Sequence, residues 1–108
     1  MSNNITKKPQ SEKSYENKIK RYLKTLPKCW FFKVRGNMFQ KAGVPDIIGV
    51  LNGRFIAIEV KSEVGKPSEL QLATIKLIKR AGGYAVVSGP KHWDELKKDL
   101  EGISGGSS

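Results

Sequence analysis

A chain of 108 residues with 38% apolar content has the length of one domain, enough for a small sheet and a few helices around a single core. The net charge of +10 and the pI near 9.9 suit a polyanionic partner such as nucleic acid, an anionic membrane surface, or solubility alone. A lone cysteine, Cys29, excludes an internal disulfide framework and a Cys-rich zinc site, and a lone histidine, His92, leaves little for a Ser–His or Cys–His pair, so a metal would need oxygen ligands.

Residues 1–11 are polar and aperiodic, and read as a mobile basic arm. They lack the apolar stretch of a secretory signal, which points to the cytosol, and no run approaches the ~18 apolar residues of a membrane span. The charge is concentrated early: residues 1–35 hold ten Lys or Arg against two acids, and residues 36–108 hold ten against eight. From Glu12 to Leu26, Tyr15, Ile19, Tyr22, Leu23 and Leu26 follow helical spacing, with Lys13, Lys18, Lys20, Arg21 and Lys24 on the other faces and Pro27 as the stop. Cys29 to Val34 is aromatic and β-branched, a strand in which Cys29 reads as a small buried hydrophobe. Arg35 to Val44 carries two glycines and no period, a loop.

Two apolar runs follow, Ile47–Leu51 and Arg54–Lys61, separated by Asn52-Gly53. That dipeptide predicts a hairpin with a type I′ turn. Pro67-Ser68 opens a helix reaching Arg80 or Ala81, closed by Gly82-Gly83. Tyr84–Ser88 is a further strand, and a last helix runs from about His92 to Leu100, with packing and capping as the roles of His92 and Trp93. The domain is expected over 12–101, with a flexible Gly/Ser tail over 102–108. The order αβββαβα predicts an α/β fold, a small mixed sheet flanked by helices.

The hairpin brings charges together. If Leu51 and Arg54 close the turn, Gly49 faces Ile56 and Asp46 faces Glu59. Directly opposed carboxylates repel, so a structural role needs something to neutralise them, and a divalent cation held by oxygens does so. Pro45 restricts the backbone ahead of Asp46, and strand alternation puts Lys61 on the face of Glu59 while turning Val60 away, with its carbonyl toward the metal. In the plainer alternative Asp46 is a turn residue and Glu59 and Lys61 an edge-strand surface pair; the coincidence of register is then unexplained.

Gly43-Val44-Pro45-Asp46 followed by Glu59-Val60-Lys61 is similar to the PD-(D/E)xK nuclease signature, here PD-x12-ExK. With Glu16 on the first helix, Gly65-Lys66-Pro67-Ser68-x-x-Gln71 and GGYAVVS, the span from Tyr15 to Ser88 resembles a stand-alone virus-type replication-repair nuclease (VRR-NUC) domain. The resemblance implies a restriction-endonuclease-like core and Mg²⁺- or Mn²⁺-dependent hydrolysis of DNA phosphodiesters. It further implies a homodimer acting on branched DNA such as Holliday junctions in phage or bacterial replication, recombination or repair. Flaps, nicks, single strands or RNA remain alternative substrates, as does a catalytically silent nuclease-fold module that only binds DNA.

Carried over residue by residue, Asp46, Glu59 and the Val60 carbonyl would hold metal, and Lys61 would orient or activate water or offset transition-state charge. Glu16 lies about 20° from Leu23 on the helical wheel, at the margin of the apolar face, and is expected to meet the metal directly or through water. An ordinary solvated glutamate is its alternative, and Glu12 shares its face. Gln71 reads both as the capping-box partner of Ser68 and as a residue facing the site. Lys33, Arg35, Lys41 and Lys66 are candidate contacts to the nucleic-acid backbone, against ordinary solvated roles.

Overall fold

A computed structural model describes residues 11–35 and 43–105. Most of the expected basic arm, the tail residues 106–108 and the candidate Lys41 lie outside these residues.

Helix α1, Glu12–Leu23, begins at Ser11, whose side chain accepts from the Ser14 amide. It ends three residues before the position expected from spacing, and the chain then turns into Pro27. Strands β1 (Cys29–Lys33), β2 (Ile47–Leu51) and β3 (Arg54–Val60) form an antiparallel meander. Helix α2, Glu69–Arg80, then crosses to β4, Tyr84–Ser88, which pairs with β3 in parallel, so the sheet order is β1-β2-β3-β4. A 3₁₀ turn, Pro90–His92, leads into α3, Trp93–Ser104. The chain is therefore an α/β domain with a four-stranded mixed sheet and three α-helices. No helix among the described residues is long and apolar enough to cross a membrane.

The Asn52-Gly53 turn has the positive φ angles, 51° and 82°, that a type I′ turn requires, and it sets Leu51 opposite Arg54 and Gly49 opposite Ile56 as expected. A Cβ on Gly49 would collide with the Trp30 carbonyl and with Phe31, so glycine lets β1 and β2 approach there.

The two sheet faces are unequally covered. On one, α1 and α3 bury Tyr15, Ile19, Leu23, Ile56, Ile58, Val60, Leu96 and Leu100 in the main core. Trp93 joins it edge-on to Tyr15 and Tyr22, as its packing role predicts. Cys29 packs against this core, and burial pushes its thiol up. On the other face α2 contributes a smaller cluster, Ile75 against Ala57 and Ala85.

The C-terminus differs from expectation. Gly102 to Ser104, assigned to the tail by their composition, continue α3, which closes at Gly105 in the left-handed conformation. Ile103 packs on the core and its carbonyl accepts from Asn52 Nδ2 at 3.1 Å, offsetting the helix cost of Gly102 of about 1 kcal/mol.

Candidate active site

The expected site residues gather where β2 and β3 leave their ladder. The paired register stops at Ile47 and Ile58, one step short of Asp46 and Glu59. On the β1 side the strand continues, with Val34 N–H donating to the Asp46 carbonyl at 2.7 Å. On the β3 side the Asp46 side chain replaces the ladder, its Oδ2 accepting from Val60 N–H at 2.8 Å. The two carboxylates are thus close without being an ideal opposed pair, because Asp46 turns to a donor and relieves the like-charge contact. Val60 meets Asp46 through its amide, while its side chain is fully buried in the main core.

Glu59 is 2% exposed. Its Oε2 receives Gln71 Nε2 at 2.6 Å and faces Lys61 Nζ at 3.2 Å, whereas Oε1 is buried with no hydrogen-bond partner. Burial, and then the Asp46 charge, push the Glu59 carboxyl up to about 7 against the pull of Lys61. Glu12, the runner-up on α1, adds to that upward push. Gln71 fills both roles foreseen for it, since its Oε1 accepts from Ser68 N–H at 2.8 Å to complete the capping box while its Nε2 holds Glu59.

Glu16 is also buried, at 4% exposure, but in a different setting. Lys33 Nζ donates to its Oε1 at 2.9 Å, and Lys20 and Lys13 approach Oε2 at 3.3 and 3.7 Å. Burial would raise its pKa, yet the bonds from Lys33 and Lys20 and the charges of Lys33 and Lys13 outweigh it and hold the carboxyl below its ordinary value. Lys33 also donates to Asp46 Oδ1 at 3.4 Å, so it bridges the two acids. Its own pKa is raised: burial opposes the shift, but the Glu16 bond and the Asp46 charge exceed it.

Lys33 was expected at the DNA backbone. Its Nζ instead points into the acidic cluster, because it shares a sheet face with Ile47, beneath α1, where Glu16 waits. The alternation that separates Lys33 from Phe32 and Val34 pointed it toward the active-site side; its two acidic partners, Glu16 and Asp46, were not foreseen. Arg35 and Lys66 are exposed, Arg35 just beyond β1 and Lys66 in the turn before α2. A cleft of about 210 Å³ opens beside Lys61 between Pro67 and Pro90, with Lys91 and His92 on its lining, two residues that the motifs did not single out.

Among the described residues no group of three or more His, Cys, Asp and Glu is arranged to hold a metal ion. The fit to a cation rests on two carboxylates, Asp46 and Glu59, and above all on the buried, unpartnered Oε1 of Glu59. A hard cation that retains most of its water suits such a pair, since magnesium commonly binds through one or two carboxylates. Glu16 is surrounded by three lysines, one of which, Lys33, lies between it and Asp46.

The chain matches no protein-family profile, no curated protein and no solved structure.

Proposed function

We propose that this protein is a Mg²⁺- or Mn²⁺-dependent endonuclease with a PD-(D/E)xK, VRR-NUC-like core that hydrolyses DNA phosphodiesters. In this reading it is a homodimer acting on branched DNA such as four-way junctions, within a bacterial or phage-infected cell. The observation that carries the reading is Glu59: a nearly inaccessible carboxylate with one orphaned oxygen, beside Asp46 and in contact with Lys61. An unpartnered buried carboxylate is costly, and such groups persist where they work. The net charge of +10 supports a polyanionic substrate.

Held by Asp46, Glu59 and the Val60 carbonyl, the metal would polarise a phosphoryl oxygen and acidify water. Gln71 and Lys61 engage Oε2 of Glu59 and leave Oε1 without a partner, available to the metal. Lys61 holds the attacking water or offsets charge gathering on the phosphate. Water oxygen forms the new bond to phosphorus, one bridging P–O bond breaks, and the departing oxygen takes up a proton. Glu16 and Lys33 keep Asp46 in place. Arg35, Lys41 and Lys66, with Lys91 beside the cleft, would meet backbone phosphates. With recognition resting on phosphates and shape, binding weakens steeply with salt.

The test incubates the protein with four-way junction, flap and linear duplex DNA, with Mg²⁺ or with chelator, alongside Glu59→Gln. Metal-dependent cutting of the junction in preference to the duplex is expected, with a loss of roughly a hundredfold or more in Glu59→Gln. Binding without cutting on every substrate would replace the enzyme reading by a DNA-binding module, and equal cutting by Glu59→Gln would remove the site assignment.

A further inference from the structure

Two turns leave the sheet side by side. Strands β3 and β4 are its parallel pair, matched as far as Val60 and Ser88, and just beyond them Lys61 N–H donates to the Ser88 carbonyl at 3.0 Å. The chain then turns through Ser62 to Pro67 on the β3 side and through Gly89 to His92 on the β4 side, and the cleft of about 210 Å³ lies between these turns. In open α/β sheets the crevice beyond the carboxyl ends of the strands is the common place for a ligand. Lys61 belongs to the cleft and to the acidic cluster alike. Its Nζ meets Glu59 at 3.2 Å, and its stem passes Gly65, where a Cβ would lie 3.6 Å from Cδ. Whatever enters the cleft is therefore next to the carboxylate pair.

On the nuclease reading, on which this rests, we infer that the cleft receives one unpaired nucleotide beside the scissile phosphate. Its base lies between Pro67 and Pro90 over Val87, and its own phosphate meets Ser62, Lys91 and His92.

The lining has two parts. Three donors on it are unspent among the described residues. The Ser62 hydroxyl accepts from the Gly65 amide at 3.0 Å, while its proton has no acceptor. Lys91 and His92 are exposed, and neither side chain makes a hydrogen bond or an ion pair. His92 stands before α3 without the side-chain cap bond that was one role expected of it. Glu63 is the one acid on the lining, against Lys61 and Lys91, so the balance suits an anion. The other walls, Pro67, Pro90 and Val87, have side chains with nothing to bond to a phosphate. They suit the face of a base, as apolar side chains do for bases taken out of the stack. The volume agrees, since about 210 Å³ is the liquid space of about seven waters, more than a phosphate fills and near that of a pyrimidine base. A base still paired to its complement could not enter. Unpairing costs least where pairing is already broken, so the cleft favours branch points over intact duplex.

The test uses the whole chain in chelator, so that nothing is cut. His92 is the only histidine, and its ring protons are therefore identified in an NMR spectrum by composition alone. Thymidine monophosphate, deoxyribose phosphate and inorganic phosphate are titrated at one pH and one ionic strength. The His92 signals are expected to move with all three, the nucleotide binding about tenfold more tightly than the sugar phosphate, as one stacked base supplies. Lys91→Ala should weaken all three by about the same factor, roughly five- to tenfold, whereas Pro67→Gly should bring the nucleotide down to the sugar phosphate. The wild-type titration decides without either variant. Signals that stay still up to about 10 mM overturn the site, and equal affinity for the nucleotide and inorganic phosphate overturns the base pocket. In Mg²⁺, a duplex with one unpaired nucleotide should be cut beside it about tenfold faster than the intact duplex, and equal rates would overturn the proposal. Cutting without any His92 response sinks this inference alone. A nucleotide-selective His92 response with no cutting of any substrate sinks the nuclease reading and leaves the nucleotide site.

Discussion

Glu16 and Glu59 are buried almost equally, at 4% and 2% exposure, yet their protonation is pushed in opposite directions. Around Glu16 three lysines outweigh the cost of desolvation and the carboxyl titrates below its ordinary value. Around Glu59 one lysine and one amide reach a single oxygen, the other oxygen has no partner, and the neighbouring Asp46 carboxylate adds to the upward push. Burial alone therefore does not decide what a carboxylate is for; the number of cations supplied to it does. Each glutamate keeps one buried oxygen without a hydrogen-bond partner, but that of Glu16 lies within 3.7 Å of two lysines, whereas no cation reaches that of Glu59 among the described residues.

Removing the cation that Glu16 depends on tests this most severely. Lys33→Met is expected to destabilise the protein by about 3 kcal/mol near neutral pH in urea unfolding, since it strands a buried charge. Because the Glu16 pKa is lowered by folding, its stabilisation is present above the ordinary carboxylate value and is lost as pH falls through the folded one. Lys33→Met should flatten that acid limb, and an unchanged limb would break the contrast.

Glu59 has the opposite sign. Its folded pKa, about 7, lies above the ordinary 4.5, so its contribution is complete below the ordinary value and lost as pH rises through about 7. In chelator, Glu59→Gln should therefore be more stable than wild type by about 2 kcal/mol at about pH 8, with the gap closing below about pH 5. Melting curves at the two pH values decide it, and a variant less stable at both would refute the undersupplied state.

Gln71→Met removes the capping acceptor and the donor to Glu59 together, at a cost of about 1 kcal/mol. Gln71→Glu keeps the acceptor for Ser68 but sets a second carboxylate against Glu59, so its loss should grow with pH more steeply than that of Gln71→Met, which removes only the donor to the ionised form. Least of all, Lys13→Ala should cost no more than about 0.3 kcal/mol, because its partner distance is 3.7 Å and its side chain is 72% exposed. A larger loss would show that the outer lysine, rather than Lys33, carries the Glu16 cluster.

Much of this arrangement was legible beforehand. Asn52-Gly53 specifies the turn, and a two-residue turn leaves a single register, so the approach of Asp46 to Glu59 followed from counting. Ser68 and Gln71 announced the cap, and the margin position of Glu16 on its helical wheel anticipated an inward side chain. The last step of the ladder was not legible, because Asp46 exchanges a strand pairing for the Val60 amide only when β1 and β3 flank it on both sides. The length of α3 was hidden for a related reason: Gly102 reads as a tail by composition, and the helix persists because Ile103 finds the core and Asn52.

By itself the sequence determined what is local: the turn, the caps, the order of elements, and a Glu-Val-Lys strand ending beside an aspartate. Only the tertiary structure decided which lysine serves which acid. Lys33 lies 17 residues from Glu16 and 13 from Asp46, and it meets both because α1 packs across the sheet and carries Glu16 to it. On the other face α2 brings Gln71 to Glu59, which is withdrawn from water, and leaves Trp30 64% exposed. Charge state and exposure are properties of what surrounds a residue, and in this fold the surroundings come from distant parts of the chain.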